Sequence, residues 1–285
     1  MSGVKFLSAK LSSWKISAPH LHVVLGSGMS GAFEDKTIGK AWKEAGKIPF
    51  REVPGLNPST APGHRGEFRY FNHPATGRSL CFQLGRLHGY EGLTPREVVL
   101  PLKTAFEMGT RNFVLTNAAG ALKLAFKPGT VMIIRDHVNL TGTSPLFGPN
   151  PLFETGEPCG PRFPDMSEVY DRQMSAGLKA ALKKQKIKTQ EGIYLGLLGP
   201  AYETPSEVKL YSSWGLGSVG MSTVWEAMAL RHLGARTGGL SLISNMGCGL
   251  DKKPLRHEDV ERIGRKVASS LVDAVFGFAE GFFKI

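Results

Sequence analysis

"HVVLGSGMSG", residues 22–31, decides how this chain is to be folded. An apolar, β-branched run ends in Gly26-Ser27-Gly28-Met29-Ser30-Gly31, which has the letters of a dinucleotide-binding turn. Such a turn needs a strand before it, a crossover helix after it, and a second strand ending in Asp or Glu about 20 residues on. The chain continues instead as "AFEDKTIGKAWKEAGKIPFREVPG", with no clean strand at that distance and Glu44 inside a lysine-rich polar segment. The dinucleotide reading fails on context. What remains is a strand end followed by small residues, whose N–H groups can face an anion while Ser27 adds a hydroxyl. A glycine turn without a ligand is the plain alternative.

Working outward, short apolar runs recur at 21–25, 79–84, 112–118, 130–136, 192–198 and 238–244, and they read as buried strands. Helical patterns lie between several of them. Thr94-Pro95-Arg96-Glu97 and Thr204-Pro205-Ser206-Glu207 are capping boxes with Pro at the first helical position, and Thr223 to Glu226 opens a third helix. From about His257, Val260, Ile263, Val267, Leu271, Val275 and Phe278 form an apolar stripe suited to sealing one side of a sheet. This alternation predicts one α/β domain over residues 1–285, with a mixed, mostly parallel sheet flanked by helices. The irregular segment 142–167 is rich in Pro and Gly yet carries Leu146, Phe147, Leu152, Phe153 and Phe163, which favours a functional or partner-covered loop.

With 285 residues, 41% of them hydrophobic, the chain has ample core. A net charge of +11 suits either a nucleic-acid binder or an enzyme with anionic substrates. The densest basic group, Lys179 to Lys188, reads as a solvated helix end. Cys81, Cys159 and Cys248 are far apart, which argues against a disulfide framework or a paired zinc site and for a reducing cytoplasm. No long apolar run predicts export or membrane insertion.

Further small-residue strand ends carry polar groups. "GHRGE" (63–67) holds His64 and Arg65, "GRLHGYEG" (85–92) holds Arg86, His88 and Tyr90 at alternate positions, "LTNAAGAL" (115–122) holds Asn117, and "GMSTVWEA" (220–227) holds Ser222 before a helix. Ligands of open α/β sheets bind at strand carboxyl ends, so this repetition favours one anion site over scattered structural histidines. Ser222 lacks the second glycine of a nucleophile elbow, and Cys248 reads as a packed cysteine.

"LGSGMSG", "GHRGEF", "GRLHGYEG", "VLTNAAGAL", "PGTVMIIRDHVNLTG", "RFPDMSEVYD", "GPAYETPSEV" and "GMSTVWEAMALRHLG" resemble, in this order, the trimeric, low-molecular-mass purine nucleoside phosphorylases. Members of that family split a purine nucleoside with inorganic phosphate into free base and ribose 1-phosphate, without a metal or other cofactor. The resemblance implies a phosphate site of Ser27, His64, Arg86, His88, Asn117, Ala118 and Ser222. It implies ribose contacts from Tyr90, Met221 and His257, and a purine pocket of Tyr202, Val219, Gly220, Glu203 and Asn245. Asn245, His88 and Glu203 are the expected catalytic residues, with Asn245 donating to the N7 or O6 side of the purine and Glu203 accepting from N1–H. A cytoplasmic homotrimer in purine salvage follows, with Phe153 as the aromatic that reaches a neighbouring subunit.

Glu203 with Asn245 matches the 6-oxopurine pattern, which implies inosine and guanosine over adenosine. Xanthosine is an alternative, and so is the related methylthioadenosine phosphorylase activity, although those enzymes usually place Asp at the Asn245 position. Trp225 stands where proline is common, "NMGCG" replaces a more usual "NxAAG", Tyr202 stands where Phe is frequent, and the 142–167 loop is longer than expected. Outside the family, the rivals are a dinucleotide-dependent dehydrogenase and a nucleic-acid-binding protein.

Overall fold

The β-branched runs form strands because both faces of the sheet they build are covered. The computed structural model describes residues 1–34, 38–61, 63–251 and 257–284, His257 in its backbone only. Its strands are β1 (Leu21–Leu25), β2 (Lys43–Pro49), β3 (Glu67–Asn72), β4 (Ser79–Leu84), β5 (Asn112–Ala121), β6 (Val131–Asn139), β7 (Thr189–Gly196), β8 (Ser218–Gly220) and β9 (Arg236–Met246). Its helices are α1 (Gly3–Ser13), α2 (Pro95–Glu107), α3 (Arg172–Lys184), α4 (Pro205–Ser213), α5 (Val224–Leu233) and α6 (His257–Phe282).

One mixed sheet runs β2-β3-β4-β1-β5-β8-β7-β6-β9, and β9 returns to pair with β5 along its whole length. Strands β5, β8, β7, β6 and β9 therefore close into a ring, and β4, β1 and β5 run parallel. The right-handed twist of a sheet is what allows such a closure. Helices α1, α2 and α5 cover one face through Leu11, Leu102 and Leu230. Helices α3 and α6 cover the other through Leu178, Leu271, Val275 and Phe278. Each of these fully buried side chains contributes about 1.5–3 kcal/mol.

The α/β architecture and six of the strands agree with the sequence reading, and the capping boxes at Thr94 and Thr204 form as expected. Three strands and α1 escaped it. β2 lies in the segment judged to hold no strand; it is a polar edge strand, antiparallel to β3, so its alternation is weak. Its place at the sheet edge, paired antiparallel with β3 and separated from β1 by β3 and β4, still excludes a parallel dinucleotide-binding unit. β8 spans three residues, too few for any periodic signal. Thr223 differs from expectation too: it makes no capping bond and sits at φ +74°.

Candidate active site

Strands β1, β4 and β5 deliver their carboxyl ends to one side of the sheet, beside β8 and β9. A cavity of about 400 Å³ opens there. The glycines of the opening motif exist for packing. A Cβ on Gly26 would come within 2.8 Å of Cα of Asn117 on β5. Gly28, at φ +75°, lets the turn press against α6 at Gly264, where a Cβ would meet Cα at 3.0 Å. This close approach leaves Ser27 as the side chain of the turn that lines the cavity.

At one end of the cavity lie Ser27, Arg86, His88 and Ser222. Arg86 and Glu226 are both 2% exposed and face each other as a buried ion pair. Nε of Arg86 donates to Oε1 of Glu226 at 3.1 Å, and Nη1 donates to the carbonyl of Thr116 at 2.6 Å. Nη2 lies 3.0 Å from the other carboxylate oxygen, so the guanidinium meets the carboxylate through two nitrogens.

The two histidines here hold opposite tautomers. The N–H of Arg86 donates to Nδ1 of His64 at 2.7 Å, so the ring proton sits on Nε2, 3.0 Å from the Ser27 hydroxyl. With its oxygen accepting from His64, Ser27 turns its own proton elsewhere. His88 is the reverse: its Nδ1 lies 3.0 Å from Glu91, which also accepts from the His88 N–H and from the N–H and hydroxyl of Thr60. Burial opposes ionisation of Glu91, but the bonds from His88 and Thr60 outweigh it and hold the carboxyl down at about 2. Burial lowers the His88 pKa, against the pull of Glu91. His88 is thus neutral near pH 7, with its proton on Nδ1.

Asn117 accepts from Ser241 at 2.7 Å and donates to Thr223 at 2.9 Å, and Thr223 in turn bonds Ser222. This chain holds Thr223 in its strained backbone and sets Ser222 at the cavity wall. Tyr194 closes the corner by accepting from the Ser222 N–H at 3.4 Å.

The other end is sparser. Glu203 is buried, and burial, helped by the charge of Glu207, raises its pKa. Asn245 accepts from Ser244 at 2.7 Å and donates to the Met246 carbonyl at 3.0 Å, which fixes its carboxamide and leaves one N–H over. Tyr202, Val219, Gly220 and Met221 supply an apolar wall, and Tyr90 stacks on His88 at 4.5 Å between the two ends.

The cavity thus brings together Ser27, Arg86, His88, Tyr90, Asn117, Ala118, Tyr202, Glu203, Val219, Gly220, Met221, Ser222 and Asn245. His64 stands behind Ser27, and Arg65 pairs outward with Glu34 at 2.7 Å. The side chain of His257 lies outside the described residues. Phe153 is not at this cavity; its ring stacks on Phe106 of α2 at 6.2 Å, while Phe147 and Phe163 are the exposed aromatics of the long loop. Among the described residues no group of three or more His, Cys, Asp or Glu side chains could hold a metal ion, and no helix is long and apolar enough to cross a membrane.

Sequence reasoning overlooked Glu91 and Glu226. Glu226 had a signal: a lone charge amid Val224, Trp225, Ala227, Ala229 and Leu230, all buried, needs a buried cation. Glu91 follows His88 by three residues, but nothing in that spacing alone specifies the contact.

The sequence profile of the Phosphorylase superfamily matches residues 23–279. Purine nucleoside phosphorylase 1 of Geobacillus stearothermophilus is 36% identical over 256 residues, covering 90% of this chain and 89% of that protein. The chain belongs to the purine nucleoside phosphorylase family. The family member of Mus musculus is 40% identical, over 80% of this chain and 76% of its own. A crystal structure of the Schistosoma mansoni purine nucleoside phosphorylase in complex with adenosine superposes with a TM-score of 0.82 at 28% identity, covering 98% of both chains. This purine nucleoside phosphorylase fold accounts for the closed strand ring and for a cavity at the strand carboxyl ends.

Proposed function

We propose that the chain cleaves purine nucleosides with inorganic phosphate, and that 6-oxopurine nucleosides, inosine and guanosine, are its substrates. The observation that carries the reading is one cavity with an arginine, a serine proton and a second serine at one end, and a buried carboxyl with a fixed carboxamide at the other. Phosphate fits the first end and the purine fits the second.

Breaking the glycosidic bond puts positive charge on ribose and negative charge on the departing base. The free N–H of Asn245 meets that negative charge as it grows, so it stabilises the transition state above the ground state. Bound phosphate offsets the sugar's charge and captures it, already positioned for attack. Glu203 accepts from the N1–H of a 6-oxopurine, a hydrogen that adenine lacks. This adds a charge-assisted bond for inosine or guanosine and leaves the carboxyl unpartnered against adenosine.

The reading needs no metal or organic cofactor. We further infer a cytoplasmic homotrimer that acts in purine salvage, to which the exposed Phe147 and Phe163 supply apolar surface. A panel of inosine, guanosine, xanthosine and adenosine, each with phosphate, tests the specificity. Base release is expected to be fastest from inosine or guanosine; faster release from adenosine would overturn the 6-oxopurine assignment, and faster release from xanthosine would overturn the choice of inosine and guanosine within it.

A further inference from the structure

We propose that Ser241, a buried residue of β9 that does not itself line the cavity, is a positioning residue for phosphate: through Asn117 and Thr223 it turns the Ser222 proton into the cavity. The proposal rests on the phosphorolysis reading and deepens it by naming what aims one donor at the co-substrate.

The four side chains form a line of hydrogen bonds with one direction. Ser241 lies opposite Asn117 on the parallel pair β5 and β9, and its hydroxyl donates to Oδ1 of Asn117 at 2.7 Å. A carbonyl oxygen only accepts, so the carboxamide turns Nδ2 the other way, where it donates to Oγ1 of Thr223 at 2.9 Å. Thr223 takes that proton and directs its own to Oγ of Ser222, 3.1 Å away. Ser222, having accepted from Thr223, keeps its hydroxyl proton for an acceptor outside the line, and it stands at the cavity wall. Tyr194, which accepts from the Ser222 N–H at 3.4 Å, is a neutral neighbour of that hydroxyl. Phosphate is charged and is therefore the stronger acceptor.

The backbone is bent to make this line. Thr223 is β-branched and sits at φ +74°, a conformation that glycine or asparagine adopts far more readily. It makes no capping bond to α5 in return. Such strain persists where the surroundings demand it. Ser241, Asn117 and Thr223 are each at most 2% exposed, so the low-dielectric interior strengthens every bond of the line and makes a missing one costly. Direction matters as much as the bonds. With the carboxamide reversed, Thr223 would donate to Asn117 and Ser222 to Thr223, and the lone pairs of Ser222 would face an anion. Ser241 selects the productive direction by placing its donor against Oδ1.

Steady-state kinetics with inosine and inorganic phosphate, each varied in turn, test this. Ser241→Ala and Thr223→Val, the latter keeping the branched shape without the hydroxyl, should each raise the KM for phosphate about two- to tenfold, the worth of one hydrogen bond, with the KM for inosine near wild type. Thr223→Ser returns the hydroxyl and should return the phosphate KM. In a Ser222→Ala background no proton is left to direct, so neither substitution should raise the phosphate KM further. Should Thr223→Val not fold, Ser241→Ala alone and in the Ser222→Ala background decides the matter. Undiminished effects in that background would overturn the proposal, as would equal rises in both KM values, an unchanged phosphate KM in Ser241→Ala, or a Thr223→Ser protein no better than Thr223→Val. Base release from inosine that does not depend on phosphate would instead overturn the phosphorolysis reading itself.

Discussion

At the end of the cavity walled by Ser27, Arg86, His88 and Ser222, the polar side chains are held by further protein groups: Glu226, Glu91, His64 and Thr223 each fix one of them. At the end walled by Tyr202, Val219, Glu203 and Asn245, two polar side chains stand on an apolar wall, and among the described residues only Asn245 has a side chain, Ser244, holding it. The difference separates two kinds of demand. A small symmetrical anion is recognised by many short bonds, which require rigid donors. A flat base is recognised by shape and by one or two edge contacts. Substitutions at the first end should therefore cost stability and binding together, and those at the second should change turnover or choice of base with little effect on folding.

The largest effect is expected for Glu226→Ala. It leaves Arg86 buried without its counter-charge and should cost about 3–5 kcal/mol of folding free energy, read by urea denaturation. A loss below about 1 kcal/mol would show that the two ends are not built differently. Asn245→Ala comes next, with inosine turnover expected to fall on the order of 100-fold while the denaturation midpoint stays close to wild type. Near-normal turnover would remove Asn245 from the transition state. Ser27→Ala should weaken phosphate binding by about 1.5–3 kcal/mol, since it deletes one hydrogen bond to a charged ligand, and should leave inosine binding unchanged.

The strand ends and their small residues were legible because each motif compresses a turn, a close approach and a polar group into a few adjacent letters. Gly26 and Gly28 illustrate the limit of that legibility. Their spacing imitated a dinucleotide turn, yet the structure gives them a packing purpose against Asn117 and Gly264. The phosphate-end residues Ser27, Arg86, His88 and Ser222 could be named from the sequence, but their partners are scattered through it. Glu226 lies 140 residues from Arg86, and Asn117 reaches Ser241 across 124. The same distance hides tautomers: that His64 donates at Nε2 and His88 accepts there depends on the Arg86 N–H and on Glu91, which no local pattern reveals. β2 and β8 stayed hidden for another reason, the first polar at a sheet edge and the second only three residues long.

Two smaller effects sharpen the comparison. Burial raises the Glu203 pKa, so its acid form persists above the usual carboxylate range and cannot accept from N1–H. The KM for inosine should rise as pH falls through that raised value, and Glu203→Gln should flatten the profile. The same shift makes the folded state bind the proton more tightly than the unfolded chain, so stability from this group is full below the unfolded pKa and lost as pH rises through the folded one. Trp225 gives the smallest effect. Its indole N–H donates to Thr141 at 2.8 Å, and its ring packs over Gly89 beside His88. Trp225→Phe keeps the packing and should cost about 1 kcal/mol of stability, measured by denaturation, with the choice of base unchanged.

The central claim is that phosphate, seated at the saturated end, is the nucleophile for a sugar whose base lies at the sparse end. Product analysis of inosine cleavage at saturating phosphate tests it most directly. The account predicts ribose 1-phosphate in equal amount to hypoxanthine, with no base released when phosphate is omitted; free ribose as the product, or release independent of phosphate, would contradict it.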